Sequence, residues 1–432
     1  MYAVCGNLHV CSVTKKWKQM FYNKKIDLGY FFLVFYIFWG WIFTKTIYAN
    51  SLYVYLSFIF LFVVFTQKIA ISFRDLKIDN LAVVWLPFYT YTCLELLLKG
   101  NIEVFVYYYI CVITVLIASV KNITNKLPYK FIIYGGILTV ASIFLQMFFP
   151  DIYTQTIGNK LVYDQIETWI SSEYGFNGIT YQLGRTAEIL IVAELVLIYM
   201  ADKIKWLHRK KFFYLIIILW VIAVFLTGKR MNSLMALFIP MFVYYVSLSK
   251  ITSRIKTLLI IAILLLFGIS YIVLNAESLQ DSPILRRLAA SVINVQDSGW
   301  SGVDGGREDL FDNAWIMFQQ NPLFGAGLGV FTSKYGIAVH NLYLQCLAEQ
   351  GLIGFVLLVF PLIFCLVVTI RLINNNKYKL YKSYLLLALA FQLNYIIQGF
   401  SDNTTITGFI LNAIAIGMVI SIKNITKRNL AI

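Results

Sequence analysis

Long apolar runs separated by short basic loops constrain this chain more than any other feature. Runs of spanning length recur at about 28–49, 51–66, 81–98, 102–120, 131–149, 180–201, 212–227, 231–248, 257–275, 352–370, 383–398 and 404–421. A backbone in lipid must satisfy its own N–H and C=O groups, and a helix does so within one segment. A β-barrel would instead show short segments of alternating polarity. The expected fold is therefore all-α: a polytopic transmembrane bundle of about twelve spans, with residues 1–432 as a single integral membrane domain. Composition agrees. Sixty per cent of the residues are hydrophobic and 13% charged, whereas soluble domains carry about 25% charged residues.

The formal net charge is +15, which in a soluble protein would suggest nucleic acid. Here the basic residues follow the loops. Lys15 to Lys25, Lys68 to Lys77, Lys121 to Lys130, Lys203 to Lys211, Lys250 to Lys256, Arg371 to Lys382 and Lys423 to Arg428 all fall on one side of the twelve-span topology. They account for 26 of the 36 Lys and Arg. The positive-inside rule makes that side, and both termini, cytoplasmic, and no nucleic-acid partner is expected. The first 27 residues have too weak an apolar core for a cleavable signal, so insertion is expected to use the first span. Cys5, Cys11, Cys93, Cys111, Cys346 and Cys365 are scattered, with no CxxC and no His/Cys cluster. Neither a zinc site nor a disulfide framework is indicated. No convincing internal repeat appears, which argues against an inverted-repeat transporter.

Ten cations remain: Lys45, Lys99, Lys160, Arg185, Lys229, Arg230, Arg286, Arg287, Arg307 and Lys334. The topology puts them on the outer side or inside a span, where positive charge is disfavoured, so function is sought there. Two outer segments are long, about 150–179 and 276–350, and long ordered loops are usually functional. The second opens with "ESLQDSPILRRLAASVINV". Ser282 is placed to cap a helix with Pro283 at its first position. Leu285, Leu288, Ala289 and Val292 would share its apolar face, and Arg286 and Arg287 would meet lipid headgroups. Next comes "DGGREDLFDNAWIMFQQNPLFGAGLGVF". Arg307 opens a helix with Leu310, Phe311, Ala314, Trp315 and Phe318 on one face, and Asn321-Pro322 stops it. "GAGLG" follows a helix rather than a strand, so a tight re-entrant turn is expected and not a nucleotide loop.

Arg307, Trp315, "NPLFGAGLGVF", the pair His340-Asn341 and "LAEQGLIG" follow one another in an order that resembles the bacterial O-antigen polymerase and ligase family. Arg230 in "LTGKRMN" resembles the family's Arg just after an earlier span, with Lys229 where serine is usual. The resemblance implies transfer of a glycan from an undecaprenyl diphosphate carrier to a sugar hydroxyl, without metal or cofactor, by a large periplasmic loop at 276–350. It implies membrane lipids and the lipid-linked oligosaccharide as partners, and admits a chain-length regulator protein as another. Arg230 and Arg307 would match the oxygens of the departing diphosphate with bidentate donors that never lose their charge. His340, one of three histidines, would take the acceptor proton. Arg185, Lys229, Trp315 and Asn341 would bind substrate.

Each of these residues also has a plainer reading. His340 would tie the loop to the next span, and Arg307 would pair with Asp304 or Asp309. Arg185 would pair with Glu188 one turn on, and Trp315 would be core. Glu349 is expected to bond loop backbone. Glu194, deep in a span, has no obvious partner in sequence. The function expected is polymerisation of O-antigen or capsule repeat units. A ligase moving finished glycan to lipid A core is the rival within the family. A lipid-linked oligosaccharide flippase is the rival of another class.

Overall fold

In the computed structural model, residues 79–99, 129–158, 175–180, 182–204, 207, 210–298, 307–402 and 406–429 are described. The expected spans at 28–49, 51–66 and 102–120 lie outside them. Every regular element among the described residues is a helix. The helices are α1 (Asn80–Val83), α2 (Leu86–Lys99), α3 (Tyr129–Phe148), α4 (Pro150–Thr156), α5 (Leu183–Met200), α6 (Lys210–Leu226), α7 (Arg230–Ser247) and α8 (Ile251–Leu274). After these come α9 (Ala276–Leu279), α10 (Arg286–Ser298), α11 (Glu308–Gln320), α12 (Val330–Tyr335), α13 (Leu342–Ile373), α14 (Lys382–Gln398) and α15 (Ile406–Asn429). Four helical stretches here are long and apolar enough to cross a membrane: Tyr129–Phe148, Ile251–Leu274, Leu342–Ile373 and Asn376–Gln398. Lys211–Leu226 and Leu411–Thr426 are shorter apolar helices. The protein is a helical membrane protein.

The centre of the bundle is α5, buried almost all round from Leu183 to Met200. It packs against α3, α6, α7 and α14. Lipid tails are as apolar as leucine, so close fit and interhelical hydrogen bonds decide such packing. Gly136 of α3 shows the fit: a Cβ there would lie 2.3 Å from the Trp220 ring and 2.6 Å from Ala193 Cβ. Trp220 of α6 then donates to the Leu190 carbonyl at 2.9 Å. By contrast α8 buries none of its residues in the described structure, as a helix at the lipid boundary would.

The basic end of the bundle is held by cations on carbonyls and on one carboxylate. Lys423 reaches both oxygens of Asp79 at 2.8 Å. Asp79 also caps α1 through Leu81 N–H. Lys382 and Arg254 donate to the last carbonyls of α7, at Ser247 and Leu248.

The other end differs from expectation in two places. The span expected at 352–370 belongs to a helix that starts ten residues earlier, at Leu342, and breaks at Gly351 (φ 67°, ψ −167°). The helix expected from Pro283 starts at Arg286, and Ser282 caps only the turn before it.

Candidate functional site

The break in α13 leaves the Ala348 and Glu349 carbonyls and the Leu352 and Ile353 N–H groups without helical partners. The "NPLFGAGLG" loop supplies all four. Ala326 N–H donates to Ala348 and Gly327 N–H to Glu349, while Leu352 and Ile353 donate to the Pro322 and Leu323 carbonyls. Glycine is required where the two backbones meet. A Cβ on Gly351 would fall 2.4 Å from the Leu323 carbonyl oxygen, and one on Gly325 would fall 2.3 Å from the Glu349 carbonyl carbon. Both residues also have φ near +70°, which L side chains adopt at a cost. The glycine loop is thus a structural clasp. Glu349 bonds loop backbone, accepting from Phe331 N–H at 3.1 Å.

That clasp fixes α11 along the first half of α13 and so places Arg307. Arg307 is the N-cap residue of α11. Its guanidinium donates to the Ser401 carbonyl at 3.1 Å, not to Asp309; Asp304 lies outside the described residues. Ser401 neighbours Asp402, whose carboxylate stands 3.8 Å from His340 Nδ1. His340 is the only non-glycine residue with positive φ (59°) among the described residues. A strained backbone held by its surroundings is a mark of a positioned group. The surroundings are clear. Asn341 caps α13, accepting from Tyr343 and Leu344 N–H, and its amide reaches the Phe400 carbonyl. Leu342 N–H donates to Gly399, and Tyr343 donates to Ile396 while its ring packs on Phe400. The start of α13 is therefore locked to the end of α14, and with it the pair His340–Asp402. Asn341 bonds backbone, not imidazole.

Lys229 sits in the turn between α6 and α7. Burial lowers its pKa from the ordinary lysine range; Asp402 opposes this, and Arg307, Arg287 and Arg230 add to it. Lys229 thus feels three arginines from three different helices, and one carboxylate. Arg230 also donates to Ser291 of α10 at 2.6 Å. Lys229 Nζ lies 4.0 Å from where a Gly184 Cβ would be. Next to Gly184, Arg185 pairs with Glu188 at 3.2 Å, the intrahelical pair expected. Glu188 is also approached by Gln398 and feels Asp402.

Three sequence readings need correction. Arg287 does not simply face headgroups; it belongs to the charge cluster around Lys229. Trp315 is not core: it is 48% exposed, with its ring tilted against Phe318 at 5.3 Å between centroids, while Ala314 and Met317 form the buried face of α11. The core reading of Trp315 assumed a face one residue off. Asp402 was missed altogether. It follows an apolar span with no motif around it, and nothing in sequence ties it to His340, 62 positions away. Glu194 is fully buried and lies away from this cluster on the same helix as Arg185.

The shared feature is electrostatic. Arg185 lies in the first turn of α5, Arg230 begins α7 with Lys229 as its N-cap, Arg286 and Arg287 begin α10, and Arg307 caps α11. Helix N-termini are the positive poles of their helices and disfavour cations. Exposed N–H groups and clustered cations together make an anion site. Among the described residues no group of three or more His, Cys, Asp or Glu side chains could hold a metal.

None of the curated proteins compared with this chain matches it. A family model described as O-antigen ligase matches residues 213–359. That stretch runs from α6 to the middle of α13 and includes Lys229, Arg230, Arg287, Arg307 and His340; Arg185, Glu188 and Asp402 lie outside it. Over residues 213–359 the chain is similar to the O-antigen ligase family.

Proposed function

We propose that this membrane protein is a glycosyltransferase of the cytoplasmic membrane that polymerises O-antigen or capsule repeat units on the periplasmic side, with both termini cytoplasmic. The nascent glycan on undecaprenyl diphosphate is the donor, and the hydroxyl of a single lipid-linked repeat unit is the acceptor. The observation that carries this reading is the meeting of His340–Asp402 with Arg307, Lys229, Arg230 and Arg287.

In the reaction the acceptor oxygen attacks the anomeric carbon, and the bond from that carbon to the diphosphate breaks. The bond electrons leave on the diphosphate, where Arg230 and Arg307 face the growing negative charge, with Lys229 and Arg287 beside them. The acceptor proton passes to His340 Nε2, because Nδ1 faces Asp402. Asp402 steadies the imidazolium and the ring's orientation, and so acts as a positioning residue. Arg185 binds substrate through the edge of the cluster, and exposed Trp315 is free to pack against a sugar. No step in this scheme calls on a metal or cofactor. A separate chain-length regulator would be the protein partner.

The family description favours one second reading, the ligase that moves finished glycan to lipid A core. Purified protein supplied with a defined lipid-linked repeat unit alone separates the two. A ladder of longer lipid-linked glycans supports the polymerase. No ladder, but transfer once lipid A core is added, supports the ligase. Neither product, with transport of lipid-linked sugar into vesicles, would replace both by a flippase. Asp402→Asn should elongate at a rate between the parent and His340→Ala, with a changed pH profile; a parental rate and profile would remove its role.

A further inference from the structure

The segment from Trp315 to Phe324 shows apolar surface where an aqueous loop should not. Along α11 the exposed residues change character with position. In the first turns they are the charged Glu308, Asp309 and Asp312; in the second half they are the apolar Trp315 (48% exposed) and Ile316 (49%) and the uncharged Gln319 and Gln320. Past the helix Leu323 is 57% and Phe324 62% exposed. No charged residue occurs between Asn313 and Ser333. Exposed charge therefore ends halfway along the helix, and large apolar side chains take its place on either side of the uncharged Gln319–Asn321.

Depth follows from α13. Arg307 at the start of α11 bonds near His340, at the start of α13. The end of α11 is clasped at Gly351. Nine residues of helix separate Leu342 from Gly351, which is about 13 Å of rise. From Leu352 to Ile370 the helix has no charged residue. Those 19 residues are about 28 Å long, close to the roughly 30 Å thickness of a bilayer's hydrocarbon core. Leu352, Val356, Phe360 and Ile363 are exposed along that stretch. The clasp hydrogen-bonds Pro322 and Leu323 to Leu352 and Ile353, so Leu323 and Phe324 lie level with the first residues of the lipid-facing run.

We infer that Leu323 and Phe324, with Trp315 and Ile316 above them, insert into the bilayer leaflet at the His340 end of the bundle. The occupant of this surface is lipid acyl chain, since the patch is continuous with the lipid-facing side of α13. Trp315 takes the interfacial level that tryptophan prefers. The helix that carries Arg307 thus descends from the charge cluster into the leaflet, so a carrier held there would have its headgroup near the arginine. The insertion itself does not depend on which reaction the site performs.

The test uses the full chain in lipid nanodiscs. Single cysteines at Leu323, Phe324, Ile316 and the polar, exposed Ser333 carry a fluorophore, and the equally treated parent gives the background from native cysteines. The Leu323 and Phe324 labels should be quenched several-fold more than the Ser333 label by nitroxide-bearing lipids, and several-fold less by aqueous iodide. Iodide quenching equal to that at Ser333 would overturn the inference. So would shielding from both quenchers, which would put protein there instead: a second copy, or another part of this chain. Three separately labelled positions keep the result readable if one substitution disturbs the clasp.

Discussion

The two ends of α7 carry cations in opposite relation to the helix. At its C-terminus Lys382 and Arg254 donate to the Ser247 and Leu248 carbonyls. The helix dipole is negative there, so these cations stabilise what they touch. At its N-terminus Lys229 and Arg230 sit on the positive pole, with Arg287 and Arg307 brought near by two other helices. Such an arrangement disfavours itself until an anion enters. Cations that serve the fold find a carbonyl or carboxylate, as Lys423 finds Asp79. Under the proposed function the cations gathered against their helices, Arg307 included for all its bond to the Ser401 carbonyl, serve the diphosphate.

Substitutions at the two ends should therefore separate activity from stability. The largest effect is expected from His340→Ala, which should slow elongation by about 10² to 10⁴, the usual worth of a positioned base. Thermal stability and donor binding should stay near parental; collapsed stability would mean that His340 only anchors the loop. Next come Arg307→Lys and Arg230→Lys. A lysine keeps the charge but loses the planar fork, so elongation should fall by about 10² to 10³. Arg254→Lys, at the far end of α7, should elongate normally. Equal behaviour of the two ends would break the comparison.

A third substitution probes the clasp. Gly351→Ala puts a Cβ against the Leu323 carbonyl at a positive φ. The backbone strain alone costs about 1–3 kcal/mol. The melting temperature and elongation should fall together, because α11 and Arg307 lose their seat. Gly268→Ala on α8, where a Cβ meets nothing within 4 Å, should leave both intact.

The smallest effect is a pH dependence. Burial, reinforced by three arginines, lowers the folded-state pKa of Lys229 below its unfolded value. As pH rises through the folded value toward the ordinary lysine range, the folded amine sheds its proton first, and the unliganded protein gains stability. Donor affinity should move the other way, since the neutral amine no longer attracts diphosphate. Titration calorimetry should show proton uptake on donor binding in that window. Lys229→Arg should remove both trends; if they persist, another group titrates.

Much of this was legible in sequence, for a stated reason. Apolar runs report directly on transfer into lipid, so the long helices α3, α5, α6, α7, α8, α13, α14 and α15 overlap the expected runs, with α13 starting ten residues before its run. Arg230, Arg307 and His340 stood out because they break the charge rule or share a motif order. The Arg185–Glu188 pair was legible because one helical turn separates its members. Trp315 was misplaced because an apolar period read on thirteen residues tolerates a one-residue error in which face is buried.

The sequence by itself determined the helical class, the polar asymmetry of the two ends and the residue types available for chemistry. These are properties of single segments, fixed by side-chain transfer energies and charge. Only the tertiary structure decided which residues meet. Asp402 faces His340 because Asn341, Leu342 and Tyr343 bond the end of α14. Arg287 joins the cluster because α10, packed on α8 and α9, is tied to the start of α7 by the Arg230–Ser291 bond. The broken turn at Gly351 exists because a distant glycine loop supplies its missing hydrogen bonds. Each is a contact between segments far apart in the chain, and local periodicity carries no information about it.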